Sequence, residues 1–330
     1  MKKIWRRDKI IIFFLIVLVL SIFMSGCQKG EEQSSIEENV DEGIEVDMEE
    51  NLGVVIEDHL GREVFLPENP TRILALTRAY MEELFELGIT PIGKVEEYKN
   101  RPEGVALPSV SNQETPDLEA IYQLEPDFII ANTRQHSNVL ENLEATGATV
   151  FFVDPNRIEE DPLTDRILLF GSLFGKQQVA EDYVQQLDEL SVQLQDKVKE
   201  YGYETALILQ GGVESIQAAQ PTGLYGALLM RLGMKNIVPE GLPGSDKSTW
   251  VNFDIETILL EDPDVILIRA AGSKEQEPEN LLDYYKEEAQ WQQLKAVKEG
   301  KLFILPAKVN PGNISNEEAL KTTAKAICPD

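Results

Sequence analysis

One stretch of this sequence occurs twice. Asp117-Leu-Glu-Ala-Ile-Tyr-Gln-Leu-Glu-Pro-Asp-Phe-Ile-Ile130 and Asp254-Ile-Glu-Thr-Ile-Leu-Leu-Glu-Asp-Pro-Asp-Val-Ile-Leu267 align without a gap, 137 positions apart. They share Asp117/Asp254, Glu119/Glu256, Ile121/Ile258, Pro126/Pro263, Asp127/Asp264 and Ile129/Ile266. In each copy an Asp in the N-cap position opens a short helix, Pro ends it and an apolar run of strand character follows. A chain with two such units is constrained to two lobes of one design. Pro-Asp before a buried strand is ordinary punctuation in α/β proteins. A Glu in the third position of both copies is not, and it marks Glu119 and Glu256 for a common role.

The rest of the body follows the same alternation. Val54 to Asp58 and Arg62 to Leu66 flank His59-Leu60-Gly61 as a hairpin. Arg72 to Leu76 reads as a buried strand, and Met81, Leu84, Phe85 and Leu87 then recur at helical spacing up to Gly88. Alternating strands and helices point to α/β layering on a mainly parallel sheet. Between the two copies, Ile167, Leu168, Leu173, Tyr183, Val184, Leu187, Leu190, Leu194 and Val198 recur at steps of mostly three and four from about Asp161 to Tyr201. Asp161 suits the N-cap and Pro162 the first helical position. Some forty residues of helix span about 60 Å, enough to cross both lobes. Gly171 and Gly175 are candidate kinks, and two consecutive helices are the alternative. The boundaries are then 1–26 for a leader, 27–52 for a tether, 53–160 for the first lobe, 161–201 for the joining helix and 202–330 for the second lobe.

Charge separates the start of the chain from its body. The 330 residues carry 30 Lys+Arg against 58 Asp+Glu, a net charge of -28. Nucleic-acid binding needs a cationic footprint, so no nucleic-acid partner is expected. Lys2, Lys3, Arg6, Arg7 and Lys9 precede an apolar run from Ile10 to Met24, too short for a membrane span of about 20 residues. Met24-Ser-Gly-Cys27 resembles the bacterial lipobox, with Met in place of the usual Leu. That resemblance implies removal of 1–26 and lipid attachment at Cys27; a retained signal anchor is the alternative. From Gln28 to Glu50 only Lys29 opposes ten acids, the composition of a solvated tether. Cys328 is the only other cysteine, so with Cys27 acylated the fold holds without a disulfide and Cys328 packs as a small apolar side chain.

These features together resemble the substrate-binding proteins of bacterial ABC importers, in the periplasmic-binding-protein group that serves iron-siderophore, haem and cobalamin uptake. The likeness rests on Val54 to Pro67, Asn69 to Leu76, Leu84 to Ile89, the two repeat copies, Trp291 to Pro306 and the closing helix from Asn316. Thr77-Arg78-Ala79 departs from the Ser-Pro that relatives often carry there. The resemblance implies an α/β fold of class III: two Rossmann-like lobes joined by a single long backbone helix, with ligand in the cleft between them. It implies partners too: a membrane permease, whose arginines receive Glu119 and Glu256, and the permease's ATPase. The implied protein is a monomer outside the cytoplasm, anchored to the cell membrane, with no cofactor of its own.

Ligands of open α/β sheets sit beyond the carboxyl ends of the strands. Strand ends read from the sequence place Arg78, Tyr80, Arg134, Gln210, Gln217, Tyr225, Trp250 and Arg269 at the cleft. Three guanidinium groups suit an anionic ferric chelate or the propionates of haem. The aromatics suit flat walls or, for tyrosine, an iron ligand. For each of these residues a core or ion-pair role is the alternative. The only histidines are His59 and His136, too few for a zinc or manganese site of imidazoles and carboxylates. His136 is open to a haem or cobalt role or to a solvated loop. Gly244-Ser-Asp-Lys247-Ser248 lacks the Gly that a phosphate loop needs before its Lys, and no Gly-x-Ser-x-Gly or His-Glu-x-x-His motif occurs. The sequence therefore reads as a receptor for an iron chelate, siderophore or haem. Cobalamin is the other ligand of that class, and a secreted enzyme or adhesin the competing classes.

Overall fold

A computed structural model describes residues 53–329 apart from 158–159, 213–214, 246–247, 270–277 and 311. The leader, Cys27, the acidic tether and Lys247 lie outside the described residues. In the first lobe β1 (Gly53–Glu57) and β2 (Glu63–Pro67) form the expected antiparallel hairpin. The buried Asp58 carboxylate holds its turn, accepting from Leu60 N, Arg62 N and the Arg62 guanidinium. Arg62 also donates to the Val150 carbonyl at 2.8 Å, which fastens the hairpin to the lobe. The lobe's sheet is parallel, in the order β3 (Ile73–Ala75), β4 (Phe128–Asn132), β5 (Thr149–Val153). Nearly every residue of these strands is buried, as expected of a sheet covered on both faces. Helix α1 (Arg78–Glu86) is N-capped by Thr77, α2 (Leu118–Gln123) by Asp117, and the single turn α3 (Thr133–His136) by Asn132.

The segment expected as one long helix forms two. Helix α4 (Asp165–Leu173) and helix α5 (Gln177–Glu200) are separated at Gly175, whose φ of 63° is left-handed. The cap also moves. Asp161 lies in a turn, where its carboxylate accepts from Leu163 N and pairs with Arg231 at 2.6 Å, so the helix starts three residues later than the Asp-Pro pattern suggests. The joining element is thus α5 alone, 24 residues and about 36 Å long. Its N-terminal part packs Ala180 and Tyr183 against the first lobe's core, and further along Leu187, Leu190, Leu194 and Val198 pack against the second's.

The second lobe has a six-stranded sheet in the order β11 (Leu302–Leu305), β10 (Val265–Arg269), β6 (Thr205–Gly212), β7 (Ser215–Ala219), β9 (Trp250–Asn252), with β8 (Lys235–Asn236) also on β6. Strands β10, β11, β6 and β8 pair in parallel, but β7 runs antiparallel to β6 and to β9. The sheet is therefore mixed. One face packs on α5, α6 (Leu224–Arg231) and α9 (Asn316–Ile327), the other on α7 (Ile255–Glu261) and α8 (Pro278–Glu287). Cys328 is a free thiol with no exposure, packed in the first of these cores.

The duplicated segment has the same build in both lobes. Asp117 caps α2 and Asp254 caps α7. Glu125 and Asp262, again 137 positions apart, both turn the chain with positive φ, 44° and 40°. Asp127 accepts from Thr71 N and Arg72 N, and Asp264 from Glu204 N and Thr205 N. Each of these carboxylates fastens the entry of a neighbouring strand. Asp264 is lowered to about 2: burial opposes ionisation, but Lys295 and the donors of Thr205 and Glu204 outweigh it.

Candidate functional site

The strand ends of both lobes open on a cavity of about 340 Å³, within the range of small-molecule sites. Its lining takes Arg78 and Tyr80 from α1, Arg134 from α3, Tyr225 from α6, Trp250 from β9 and Arg269 from the end of β10. All three predicted arginines therefore border one space. Arg134 is exposed at the surface, while Arg78 and Arg269 are half-buried. Burial lowers the Arg78 guanidinium from its usual value; Glu97 and Tyr225 oppose the shift and Arg269 adds to it. Two cations from different lobes thus feel each other across the cleft, an arrangement that an anion between them relieves.

Arg269 is held in place. Its guanidinium lies 5.3 Å from the Tyr225 ring centroid and 5.8 Å from that of Trp250, and Nη1 donates to Gln210 Oε1 at 2.6 Å. Gln210 Nε2 in turn donates to Gln217 Oε1 at 3.0 Å. Gln210 and Gln217 were expected at the cleft, but neither lines it. Strand β7 pairs antiparallel with β6 and sets Gln210 opposite Gln217, so Gln210 holds Arg269 and Gln217 holds Gln210.

The tyrosines also differ from expectation. Tyr80 is 2 % exposed, and its hydroxyl donates to the Val153 carbonyl and accepts from Asn132 Nδ2 at 3.0 Å. Tyr225 is 5 % exposed and donates to the Val309 carbonyl at 3.0 Å. Burial raises both phenols above their ordinary value. Trp250, half-buried, remains a wall of the cavity. His136 is fully buried: Nδ1 accepts from Asn132 N at 2.9 Å, and Nε2 lies 2.6 Å from the Gln113 carbonyl. This fixes the neutral Nε2–H tautomer and overturns both the metal-ligand and the solvated-loop readings. His59 accepts from Asp154 N in the hairpin region and does not border the cavity.

An acidic wall escaped the sequence reading. Glu82, Glu83 and Glu86 lie on one side of α1 and border the cavity. Arg101 and the Tyr98 hydroxyl hold Glu82, Arg101 also pairs with Glu86, and Arg166 of α4 grips Glu83 at 2.5–3.1 Å. Burial pushes Glu86 up to about 7, Glu82 adding to the shift and Arg101 opposing it. On the other lobe Gly312 meets the start of α1 so closely that a Cβ there would lie 2.5 Å from the Arg78 carbonyl carbon. Only a positive-φ glycine fits, with φ at 72°. Sequence shows an isolated glycine here but not its neighbour, 234 positions earlier in the chain.

Comparison with known proteins bears on this arrangement. The family described as periplasmic binding protein matches residues 73–309, most of the chain. The chain belongs to the periplasmic binding protein family. Among curated relatives, the Fe(3+)-citrate-binding protein YfmC of Bacillus subtilis is 22% identical over 302 residues, covering 90% of this chain and 89% of the relative. The probable siderophore-binding lipoprotein YfiY of the same organism is 25% identical over 304 residues, covering 88% of this chain and 87% of its own. Of the solved structures, Staphylococcus aureus SirA complexed with staphyloferrin B superposes with a TM-score of 0.65 at 20% identity, over 81% of this chain and 95% of that one. The class III fold, with its two α/β lobes and joining helix, is thereby established.

In this periplasmic binding protein the duplicated glutamates lie away from the cavity. Glu119 and Glu256 sit in the first turns of α2 and α7, each two residues beyond the capping Asp, and both are exposed. The apolar side chains Tyr122 and Leu260 stand exposed on the same two helices, Leu260 at 82 %. Among the described residues no helix is long and apolar enough to cross a membrane, and no cluster of three or more His, Cys, Asp or Glu is placed to hold a metal ion.

Proposed function

We propose that this protein captures an anionic iron chelate outside the cytoplasm and delivers it to the permease of an ABC importer. The carrying observation is the meeting of Arg78, Arg134 and Arg269, drawn from both lobes, on one cavity of a chain whose net charge is -28. Guanidinium groups match carboxylate oxygens in geometry and charge, and that of Arg269 is preorganised by stacking and by a glutamine. The names of the relatives, ferric citrate and siderophore binders among them, support the same ligand class. Glu119 and Glu256 dock the two lobes onto the permease, Cys27 carries the lipid anchor, and the tether spaces a monomeric body from the membrane. No bond is made or broken in the protein; release follows from the difference in affinity between the free and the permease-bound states.

Trp250 supplies the readout. The full chain in detergent is titrated with ferric citrate, ferric staphyloferrin B, haem and cobalamin while tryptophan fluorescence is followed. At least one anionic ferric chelate quenches the emission, and Arg269→Ala weakens that binding tenfold or more, the cost of one charge-assisted contact of about 1.5–3 kcal/mol. Silence toward all four ligands rejects the receptor reading.

A further inference from the structure

Resting on the receptor reading, we propose that Glu82 and Glu86 hold one exchangeable proton between them in the cavity wall, and that an anionic ligand draws this proton from solvent as it binds. Capture and proton uptake are then one event. On one side of α1, Glu82, Glu83 and Glu86 border the cavity, and the guanidinium groups that meet them are those of Arg101 and Arg166. Three carboxylates against two cations leave one negative charge over. The hydrogen bonds locate it. Arg166 holds Glu83 through both carboxylate oxygens, at 2.9 and 3.1 Å from its Nε. Glu82 receives Arg101 Nε and Nη2 on one oxygen, at 3.0 and 2.8 Å, and the Tyr98 hydroxyl on the other at 2.7 Å. Glu86 meets Arg101 through Oε1 and shares that cation with Glu82. Glu82 and Glu83 are buried, whereas Glu86 is half-buried, so solvent reaches it and its proton can exchange.

Glu82 and Glu86 stand one helical turn apart, within hydrogen-bonding reach of each other. Two carboxylates in such a contact repel, and a single proton turns the repulsion into a hydrogen bond that belongs to the pair. The other groups around Glu86 supply no further cation. Glu317, in the first turn of α9 in the second lobe, adds negative charge to the field at Glu86, although Lys321 pairs with it. Tyr183 of α5 lines the same wall and stays protonated, because burial raises its phenol and Glu86 and Glu83 raise it further. The proton is therefore about half-bound at neutral pH, consistent with burial pushing Glu86 up to about 7. A site in that condition answers to small changes of field. One negative charge roughly 10 Å away, at an effective dielectric constant of about 20, strengthens proton binding on the order of tenfold. An anion in a cavity of about 340 Å³ that Glu86 borders comes within that range. By reciprocity the proton strengthens ligand binding by the same factor, so capture is tightest in the acid range and weakens as pH rises through 7.

Calorimetry counts the proton. Ferric citrate, ferric staphyloferrin B and haem are each titrated into the full chain in detergent, in pairs of buffers with different ionisation heats, at pH 7 and at pH 5.5. We expect a chelate that binds to take up as much as about half a proton at pH 7 and close to none at pH 5.5, where the site is already filled. Its Kd rises about fivefold between pH 6 and pH 8. Glu86→Gln keeps the shape of the side chain and removes the charge. In that variant the uptake is lost, apart from protons that the chelate itself exchanges, and the rise in Kd shrinks to less than twofold. Infrared difference spectra of the wild-type chain labelled with 13C-glutamate make the test independent of the variant's folding: binding at pH 7 adds a carboxylic-acid band that moves with the label. Uptake that is nil in the wild type or equal in the two proteins overturns the proposal, as does a labelled band that fails to appear. Those results leave the receptor reading standing. If none of the chelates binds at either pH, the receptor reading falls and this proposal with it.

Discussion

At His136 a side chain that reads as a candidate ligand serves as a bolt between Asn132 N and the Gln113 carbonyl. Burial holds the imidazole below its ordinary 6.5, the Gln113 carbonyl opposing. The unfolded chain takes up this proton near 6.5 and the folded chain resists it, so the contribution is present above 6.5 and falls away as pH drops from there. Glu86 has the opposite sign. Its folded value of about 7 lies above the ordinary 4.5, so its contribution is present below 4.5 and is lost as pH rises to 7. Thermal melts across pH 4–8 separate the two: His136→Gln flattens the acid limb below 6.5, and Glu86→Gln flattens the fall between 4.5 and 7. Unchanged profiles count against both assignments. Gln210→Leu tests the support behind Arg269. It is expected to weaken chelate binding about fivefold to tenfold with the fold intact, and an affinity equal to wild type removes the positioning role. The arginines were legible because strand ends follow from local pattern. The glutamine pair was not, because the return of β7 along β6 is a pairing that composition does not reveal. His136 and the wall of Glu82, Glu83 and Glu86 were equally hidden, since their partners come from separate segments.

The duplicated element was the most legible feature, because its cap, its Pro and its apolar strand are all local. What the sequence does not announce is the left-handed residue inside it. Glu125 and Asp262 occupy positive φ without being glycine, at a cost of about 1 kcal/mol. The Asp262 carboxylate is used, accepting from Lys295 N at 2.8 Å. Glu125→Gly relieves the strain, less the entropy that glycine adds to the unfolded chain, and is expected to stabilise the protein by about 0.5 kcal/mol in urea unfolding. At Gly175 the sign reverses. A Cβ there meets no atom within 4 Å, so Gly175→Ala acts on the backbone alone and destabilises by about 1 kcal/mol. A neutral or stabilising Gly175→Ala means that the helical segment tolerates a continuous path. Periodicity alone favours one forty-residue helix, because two helices separated by only three residues, Phe174 to Lys176, look like one. Asp161 misled for a related reason: a cap and an ion-paired turn carboxylate share one local pattern, and the decisive partner, Arg231, is 70 positions away.

At the scale of the molecule, the two lobes present different things on different surfaces. Arginines of both lobes line the cavity, and Gly312 of the second lobe lies against the start of α1 in the first. Outward they repeat an exposed glutamate, each on a short helix capped by Asp and followed by an exposed apolar side chain. Duplication explains why both lobes have such a helix. It does not by itself explain why the Glu persists in both, since the cap is supplied by Asp117 and Asp254 and a first-turn acid adds only about 0.3–1 kcal/mol at the helix dipole. The proposed docking does explain it, because two separated carboxylates would report that both lobes are seated at once. Charge reversal isolates that role, as neither residue borders the cavity. Cells carrying Glu119→Lys or Glu256→Lys are expected to take up the iron chelate at a small fraction of the wild-type rate, and the double variant to show none. Purified variants keep ligand affinity and melting temperature within twofold and about 2 °C of wild type. Matching reversal of the permease arginines restores uptake in part, which a folding defect cannot do. Uptake that survives the double reversal removes the docking role, and affinity that falls with it moves the glutamates into the ligand's field.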